Sequence, residues 1–396
     1  MAELLSLEEA LKRILGRVTA LGPEAVPLAA AAGRVLAEDA RAVVDLPPFA
    51  SSAMDGFAVR SADTPGRLSI VARIAAGVPA HRELAAGEAM AIATGGVVPA
   101  GADSVVPIEN VVENGNSVET PAVVHGDNVR PRGGDIAAGE VVVPSGARLR
   151  PAQIGALAAS GVDRVVVGRR PRLAVLSTGT ELRRPGEPLE PGQVYEANGV
   201  LLQAVFAAAG AEVEALPPVA DDESSHREAL ERGLARDVFV TSGGVSVGPH
   251  DLVRRILAEL GVEEVFWGVA VKPGKPLAFG VRGSTLVFGL PGNPVSALVG
   301  AEVFVRPALL ALQGATVPGP VFFEARLAAP VRRNAQRDEF LRARTVSSDD
   351  GVLLHPVSGQ ESHMIARAAG ADALVLAPRG EGELAAGEGV RYLPLA

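Results

Sequence analysis

Apolar positions along this chain change their spacing from one stretch to the next, and each spacing predicts a different kind of structure. Residues 6–20 carry apolar side chains at helical intervals, and Ser6 with Glu9 forms a capping-box pattern, so an amphipathic helix is predicted there. Residues 34–45 alternate between apolar and polar positions, which predicts a strand. Short strand-like runs separated by Gly/Pro turns fill residues 46–128. A β-rich unit is therefore expected there.

Strand-like and helix-like segments alternate over residues 171–313. One predicted helix begins at Asn198, which we expect to act as its N-cap, and another occupies 294–312. Such alternation is typical of a mostly parallel, doubly wound sheet with helices on both faces. Ligands bind sheets of this kind outside the carboxyl ends of the strands.

The whole pattern predicts a multidomain protein of class α/β plus β. Its central doubly wound domain is preceded by a β-rich insertion and followed by a small C-terminal β domain. The expected boundaries are 1–45 with 129–170 for domain I, 46–128 for domain II, 171–313 for domain III and 314–396 for domain IV.

Composition narrows the class of function. The chain has 37 basic and 46 acidic residues, a formal charge of −9, and only 4% aromatic residues, which argues against a nucleic-acid partner. The absence of cysteine excludes disulfides and thiolate metal sites. The uncharged stretch 283–301 contains Pro291 and Pro294, which would break a membrane helix, and the acidic N-terminus does not resemble a signal peptide. We therefore expect a cytoplasmic protein without a membrane partner.

Lysine is rare and clustered. The three lysines are Lys12, Lys272 and Lys275, and two of them fall in the segment Lys-Pro-Gly-Lys-Pro at 272–276. A rigid turn that presents two compact ammonium groups suits an oxyanion ligand, whereas chance placement in an arginine-rich chain is the alternative. The segment is not a P-loop, because proline stands where the magnesium-binding hydroxyl would be.

A glycine-rich loop follows one of the central strands. Thr-Ser-Gly-Gly-Val-Ser-Val-Gly occupies 241–248, directly before a predicted helix. Paired glycines let backbone N–H groups approach a phosphate, and the following helix N-terminus favours negative charge. Asp251, at the start of that helix, suits a helix cap and a metal ligand about equally.

Carboxylates follow the neighbouring strands. Glu181 ends the hydroxyl-rich turn Ser-Thr-Gly-Thr-Glu at 177–181, and Asp221 lies beyond the next strand, where it caps a helix or binds a ligand. Together with Asp251 these side chains are expected at one edge of the sheet, where Mg²⁺ would bridge one or two carboxylates and a phosphate. Ser296, after Pro-Gly-Asn-Pro at 291–294, is either an anion donor or part of a simple helix start.

Taken together, these segments resemble the molybdopterin molybdenumtransferase family, which includes the C-terminal domain of gephyrin. The resemblance rests on motifs in the family's order, namely Ser-Ala-Met-Asp-Gly-Phe-Ala (52–58), Thr-Gly-Gly (94–96), Arg-Gly-Gly-Asp-Ile (132–136), Ser-Thr-Gly-Thr-Glu-Leu (177–182), Thr-Ser-Gly-Gly-Val-Ser-Val-Gly (241–248), Lys-Pro-Gly-Lys-Pro (272–276) and Leu-Pro-Gly-Asn-Pro-Val-Ser (290–296). It implies an elongated homodimer of four-domain subunits, with a third domain that resembles molybdopterin adenylyltransferases. It also implies insertion of molybdenum from molybdate into adenylylated molybdopterin, with Mg²⁺-assisted hydrolysis of the adenylate and release of AMP.

The same resemblance implies the site residues. The expected catalytic residues are Asp55, Asp135, Glu181, Asp221, Asp251 and Lys275, of which Glu181, Asp221 and Asp251 would bind Mg²⁺. The expected residues for substrate and cofactor binding are Thr94, Ser177, Thr178, Gly179, Ser242, Gly243, Gly244, Lys272, Pro276, Ser296, Arg337 and Ser362. Asp55, Thr94 and Asp135 would line the cleft from the second-domain side or its border, and the resemblance implies that this second domain belongs to the partner subunit.

Two other functions fit parts of the pattern. A molybdopterin adenylyltransferase that uses ATP would need the α/β domain alone, and a gephyrin-like scaffold would need no catalysis. The extra β-rich domains, Arg337 and the retained lysines and carboxylates favour molybdenum insertion. A molybdopterin adenylyltransferase and molybdoenzymes are the protein partners expected before and after this reaction.

Overall fold

The structure is a computed structural model, and it describes residues 4–219, 223–244, 252–349 and 351–395. Its first element is the helix Leu7–Leu15, whose start is confirmed because the Ser6 hydroxyl accepts a hydrogen bond from the Glu9 N–H at 3.1 Å. The helix ends at Gly16, earlier than the apolar pattern predicted. Its buried face packs against the helix Arg306–Leu312.

The strand predicted at 34–45 is largely wrong, since only Ala40–Arg41 forms one. The backbone there does not pair with one neighbouring strand. Val35 forms an isolated bridge with Arg148, and Leu36 forms one with Val167. The neighbouring elements are the strands Pro23–Pro27, Val129–Arg130, Val141–Val143 and Arg164–Gly168 and the helix Pro151–Ala159.

The β-rich insertion forms a six-stranded sheet, as the short apolar runs predicted. Its strand order is Ser104–Pro107, Gly56–Val59, Glu88–Ile92, Gly66–Ile74, Ser117–Thr120 and Val112–Asn114. The short strand Ser51–Ser52 leads into it. Buried side chains on both of its faces form two small apolar clusters, around Phe57 and Met90.

The central unit is a six-stranded sheet, and its doubly wound arrangement is confirmed. Its strand order is Glu212–Ala215, Arg172–Ser177, Val238–Ser242, Thr285–Leu290, Ala278–Arg282 and Glu263–Trp267, of which the first four are parallel. The helices Asn198–Ala208 and Glu223–Leu234 lie on opposite faces, because Phe206 and Leu230 belong to different core clusters. A short pair, Leu182–Arg183 with Val194–Tyr195, extends from the carboxyl edge.

The apolar helix Pro294–Leu312 completes the central unit. It has 19 residues and a mean hydropathy of 1.7, enough by length and composition to cross a membrane. However, 78% of its apolar 18-residue window is buried inside the protein, which is typical of a core helix. The helix contains the π-helical turn Ala301–Val305, and the helix Leu252–Glu259 covers the other face of the sheet.

The C-terminal part forms a third six-stranded sheet. Its strand order is Val271–Lys272, Asp338–Ser348, Gly351–Pro356, Phe323–Leu327, Gly389–Pro394 and Ala373–Ala377. Val331–Arg332 pairs with Glu383–Leu384, and Ile365–Ala368 is a short helix. The strand Val271–Lys272 comes from the central part of the chain, so the lysine-containing turn that follows it lies where the two units meet.

Candidate active site

Three loops leave the central sheet at the same edge. Ser177, Ser242 and Leu290 stand in register on three neighbouring parallel strands, so each loop begins at the same height. Two backbone hydrogen bonds join the loops: Thr178 N–H donates to the Ser242 carbonyl at 3.0 Å, and Gly243 N–H donates to the Leu290 carbonyl at 3.1 Å. The loops after Ser177, Ser242 and Leu290 therefore begin side by side at one edge of the sheet.

Gly243 is required where two of these loops touch. Its φ is +88°, and a Cβ placed there would lie 2.8 Å from the Thr178 carbonyl oxygen. Because its N–H bonds to the Leu290 carbonyl, this amide serves the loop junction within the protein. Gly243 therefore shapes the loop, and its N–H is engaged within the protein instead of being directed at a phosphate.

A pocket of about 920 Å³, here called the larger pocket, opens above this edge. Half of its lining consists of loop residues of the central sheet, and Tyr195, Trp267 and Ile365 add apolar surface. The residues expected from the sequence that line it are Ser177, Thr178, Glu181, Ser242, Gly243, Gly244, Lys275 and Pro276. Gly179 lies directly beneath the Glu181 carboxylate, since a Cβ at Gly179 would approach it to 2.6 Å.

A second pocket of about 550 Å³, here called the smaller pocket, adjoins the first. The expected residues that line it are Lys272, Lys275, Pro276, Ser296, Arg337 and Ser362. The two pockets share Lys275, Pro276, Pro291, Asn293 and His363. A ligand in one pocket would therefore meet a ligand in the other beside these shared residues.

The wall of the smaller pocket joins the central and C-terminal units. Asn293 Nδ2 donates a hydrogen bond to the Ser362 hydroxyl at 2.9 Å, and the N–H of Val295 donates to the Ser362 carbonyl at 3.0 Å. Ser296 is buried on the first turn of the following helix. The C-terminal loop is thus attached to the start of a core helix.

The two loop lysines differ in their partners. Lys272 Nζ lies 2.9 Å from the carboxylate of Glu339, a residue that is only 6% exposed. Lys275 is exposed and, within the part of the chain that the structure describes, has no carboxylate within ion-pair distance. Among the described residues, Lys275 is therefore the lysine that lines both pockets with no carboxylate paired to it.

Two side chains of the larger pocket were missed by sequence reasoning. The buried Glu196 carboxylate accepts hydrogen bonds from the Ser177 hydroxyl at 2.8 Å and the Gly199 N–H at 2.6 Å. Asn198 was predicted to cap its helix, which is wrong, because it is the first helical residue and its side chain makes no cap bond. Its Nδ2 instead donates to the Ser242 hydroxyl at 2.8 Å and the Gly292 carbonyl at 2.7 Å.

The residues expected on the second-domain side of the cleft lie elsewhere in this chain. Asp55, Thr94 and Asp135 line neither pocket. Both the N–H (2.6 Å) and the hydroxyl (2.9 Å) of Thr94 donate to the Asp55 carboxylate. The backbone donor first, and the hydroxyl second, hold the pKa of Asp55 below its ordinary value. Asp55 is thus held as a carboxylate outside both pocket linings of this chain.

Of the three expected magnesium ligands, the structure describes only Glu181. Asp221 and Asp251 lie outside the described residues, and the residues that are described contain no cluster of three side chains able to hold a metal ion. Glu181 is an exposed carboxylate at the wall of the larger pocket, and the described residues offer it no ion pair. Mg²⁺ requires only one or two protein carboxylates when a ligand supplies phosphate oxygens, so this donor fits such an ion.

Three family models cover nearly the whole chain. They are the MoeA N-terminal region (domain I and II) over residues 5–161, the probable molybdopterin binding domain over 174–311 and the MoeA C-terminal region (domain IV) over 324–395. The chain belongs to the molybdopterin molybdenumtransferase family. The resemblance inferred from the ordered motifs is thereby confirmed.

Relatives of full length support this membership. The chain is 36% identical to molybdopterin molybdenumtransferase 2 of Mycobacterium tuberculosis, over 96% of this chain and 97% of the relative. It is 33% identical to the molybdopterin molybdenumtransferase of Haemophilus influenzae, over 99% and 98%. The crystal structure of a molybdopterin biosynthesis moeA protein from Pyrococcus horikoshii OT3 matches with a TM-score of 0.84 and 29% identity, over 99% of this chain and 100% of that one.

Proposed function

We propose that this chain is a molybdopterin molybdenumtransferase, which inserts molybdenum from molybdate into adenylylated molybdopterin and releases AMP. The observation that carries the proposal is the pair of adjoining pockets that share Lys275. The larger pocket has the size and the loop edge suited to a phosphorylated nucleotide ligand. The smaller pocket gathers Lys272, Lys275 and Arg337, which suits a small doubly charged oxyanion such as molybdate.

The chemistry follows from this arrangement. Both substrates are anions, so their approach is opposed by charge repulsion that the shared Lys275 ammonium group offsets. Mg²⁺, held by Glu181 and the expected Asp221 and Asp251, would polarise the phosphoanhydride when it is bound. Asn198 and Glu196 hold the loops that would contact the phosphates. In the balanced reaction, an oxygen of water or of molybdate would form a new P–O bond as the phosphoanhydride P–O bond breaks and AMP leaves. As the two dithiolene sulfurs bind molybdenum, molybdate oxygen would leave as water with the thiol protons.

The assay that tests this proposal supplies the purified chain with two substrate sets. One arm contains adenylylated molybdopterin, Mg²⁺ and molybdate, and the release of AMP is measured. The other contains molybdopterin, Mg²⁺ and ATP, and the release of pyrophosphate is measured. We expect AMP release in the first arm and none above background in the second. Pyrophosphate release without AMP release would show an adenylyltransferase instead, and inactivity in both arms would favour a scaffold.

The proposed assembly is a homodimer whose cleft is shared between subunits. It is supported by the pocket linings, since neither pocket of this chain includes Asp55 or Thr94. Subunit exchange between Asp55→Ala and Lys275→Ala proteins tests this point, because a shared cleft would give each mixed dimer one intact site. Recovered activity is expected, and no recovery would show that each site is built within one chain. The cytoplasm is the proposed compartment, with a molybdopterin adenylyltransferase and molybdoenzymes as proposed partners.

A further inference from the structure

A buried arginine lies behind the loop that presents Ser362 to the smaller pocket. Arg342 lies on the strand Asp338–Ser348 and is fully buried. Its Nη2 donates a hydrogen bond to the Gly359 carbonyl at 2.6 Å and a longer one to the Glu361 carbonyl at 3.4 Å. The guanidinium is therefore hydrogen-bonded to two backbone carbonyls of the loop that contains Ser362.

The backbone of Arg342 holds the same loop from a second side. Its N–H donates to Gln360 Oε1 at 3.0 Å, and Gln360 Nε2 donates to the Arg342 carbonyl at 2.9 Å. Gln360 Nε2 also donates to the Val357 carbonyl at 2.8 Å. Residues 357–361 are thus folded around Arg342 by side-chain and backbone hydrogen bonds together.

The loop runs directly from these bonds into the pocket wall. Gln360, Glu361, Ser362 and His363 line the smaller pocket. On its far side the loop is attached to the central unit through the bond from Asn293 to Ser362. Its position is therefore set by Arg342 on one side and by Asn293 on the other.

This arrangement costs stability, because a buried charge must be desolvated. Arg342 Nε and Nη1 are buried without a hydrogen-bond partner. Burial lowers the pKa of Arg342, and the charges of Glu361 and Glu339 act against that shift. An apolar side chain of similar length would fill the same space without an unpaired donor, so packing alone does not explain an arginine here.

We propose that Arg342 is a positioning residue for the oxyanion substrate, acting through the loop 357–363 that carries Ser362. The inference rests on the proposed function and deepens it. It means that the wall of the smaller pocket is held in place by a residue that does not itself contact the ligand. Loss of the guanidinium would let the loop move and would weaken molybdate binding more than nucleotide binding. The larger pocket draws only His363 and Ile365 from this part of the chain.

The test compares Arg342→Met and Arg342→Lys with Arg34→Met in the full chain. Arg34 is a matched control, because it is also buried, also has an unpaired Nε and donates to the Gly168 carbonyl far from both pockets. We expect Arg342→Met to raise the KM for molybdate about tenfold, with little change in the KM for adenylylated molybdopterin. Lysine should restore part of the loss, and Arg34→Met should leave the ratio of the two KM values unchanged. An unchanged ratio in Arg342→Met, or an equal change in Arg34→Met, would overturn the inference.

A second variant covers the case in which Arg342→Met does not fold. Gln360→Met keeps the guanidinium and removes the side-chain bonds to the loop and strand, so hydrogen exchange of residues 357–363 and the KM for molybdate should both rise. Because Gln360 also lines the smaller pocket, a raised KM without faster exchange of residues 357–363 would show a direct effect on the pocket and would count against loop positioning. An unchanged KM for molybdate in a folded Gln360→Met protein would contradict the inference.

A third measurement separates the inference from the proposed function. Isothermal calorimetry measures the affinity for molybdate alone and requires no turnover. It therefore still tests the smaller pocket if the wild-type protein releases no AMP. Weaker binding by Arg342→Met than by the wild type supports the positioning role. Equal binding, or no binding by the wild type, overturns it.

Discussion

Lys272 is paired with Glu339 across two neighbouring strands, with 2.9 Å between its Nζ and the carboxylate. Lys275, three residues further along the same turn, has no such partner among the described residues. One lysine therefore balances a buried carboxylate, while the other presents its charge to both pockets. The two lysines of one motif are expected to respond differently to mutation.

Lys275→Ala should reduce activity without reducing stability. We expect kcat/KM for AMP release to fall about 100-fold, as for the loss of one charged group that stabilises a developing anion. The free energy of unfolding should change by less than about 0.5 kcal/mol, because the side chain is exposed. Steady-state kinetics and urea unfolding check the two statements, with Lys12→Ala, on the N-terminal helix, as the control. Wild-type kinetics in Lys275→Ala would contradict the role of the shared lysine.

Lys272→Ala should reduce stability, because it leaves the buried Glu339 carboxylate without its partner. The lysine side chain is 42% exposed, so solvent screening lowers the cost to about 1–2 kcal/mol. Urea unfolding at neutral pH measures this difference. A double variant, Lys272→Ala with Glu339→Gln, should recover much of the loss. A single variant as stable as the wild type would show that the pair contributes nothing.

Asn198→Ala should loosen the larger pocket. The Gly292 carbonyl and the Ser242 hydroxyl would both lose a donor, which costs about 1–3 kcal/mol for buried groups. The KM for the adenylylated substrate should rise as the two loops separate. Asn114→Ala, at an exposed hairpin, is the control and should be nearly neutral. If the two variants unfold at the same urea concentration, the bridging role of Asn198 is wrong.

Gly243→Ala should cost more than the strain of its backbone alone. A positive φ costs an L-residue about 1–3 kcal/mol, and the added methyl group would also meet the Thr178 carbonyl oxygen. Gly126→Ala is the control for backbone strain without crowding. Gly126 has a φ of +90°, and no atom lies within 4 Å of the place where the methyl group would be. The difference between the two alanine variants in thermal unfolding measures the crowding. Equal losses in both would mean that loop contact at Gly243 is unimportant.

Asp55 should remain ionised to lower pH than an ordinary aspartate. Its pKa is lowered in the folded protein by Thr94, so its contribution to stability is complete above the unfolded pKa and is lost as pH falls through the folded pKa. Thr94→Val removes the hydroxyl bond but keeps the backbone donor, and should therefore raise the pKa part of the way. NMR titration of the Asp55 carboxyl carbon measures both proteins. Identical midpoints would rule out the hydroxyl as a cause.

The central sheet and its loop edge could be predicted from the sequence for a simple reason. Buried parallel strands are continuous apolar runs, and their carboxyl ends must lie on one side of the sheet. Ser177 and Ser242 end two such runs, so their meeting followed from topology. The family relation then placed Lys275, Arg337 and Ser362 together, although they are far apart in sequence.

Other features depended on tertiary contacts that local pattern does not record. Asn198 looked like an N-cap because asparagine is common there, yet its amide is used by two distant loops. The pairing of Lys272 with Glu339 requires a parallel strand contact between segments that are almost seventy residues apart. The strand expected at 34–45 failed because its backbone is divided among several partners. In each case a distant segment decided the outcome.

The most direct test of the two-pocket account is a crystal soaked with molybdate and AMP, with data collected at the molybdenum absorption edge. The account predicts an anomalous peak between Lys275 and Arg337 in the smaller pocket, and AMP phosphate density beside Ser177 and Ser242 in the larger one. An anomalous peak elsewhere, with the smaller pocket empty at saturating molybdate, would contradict it.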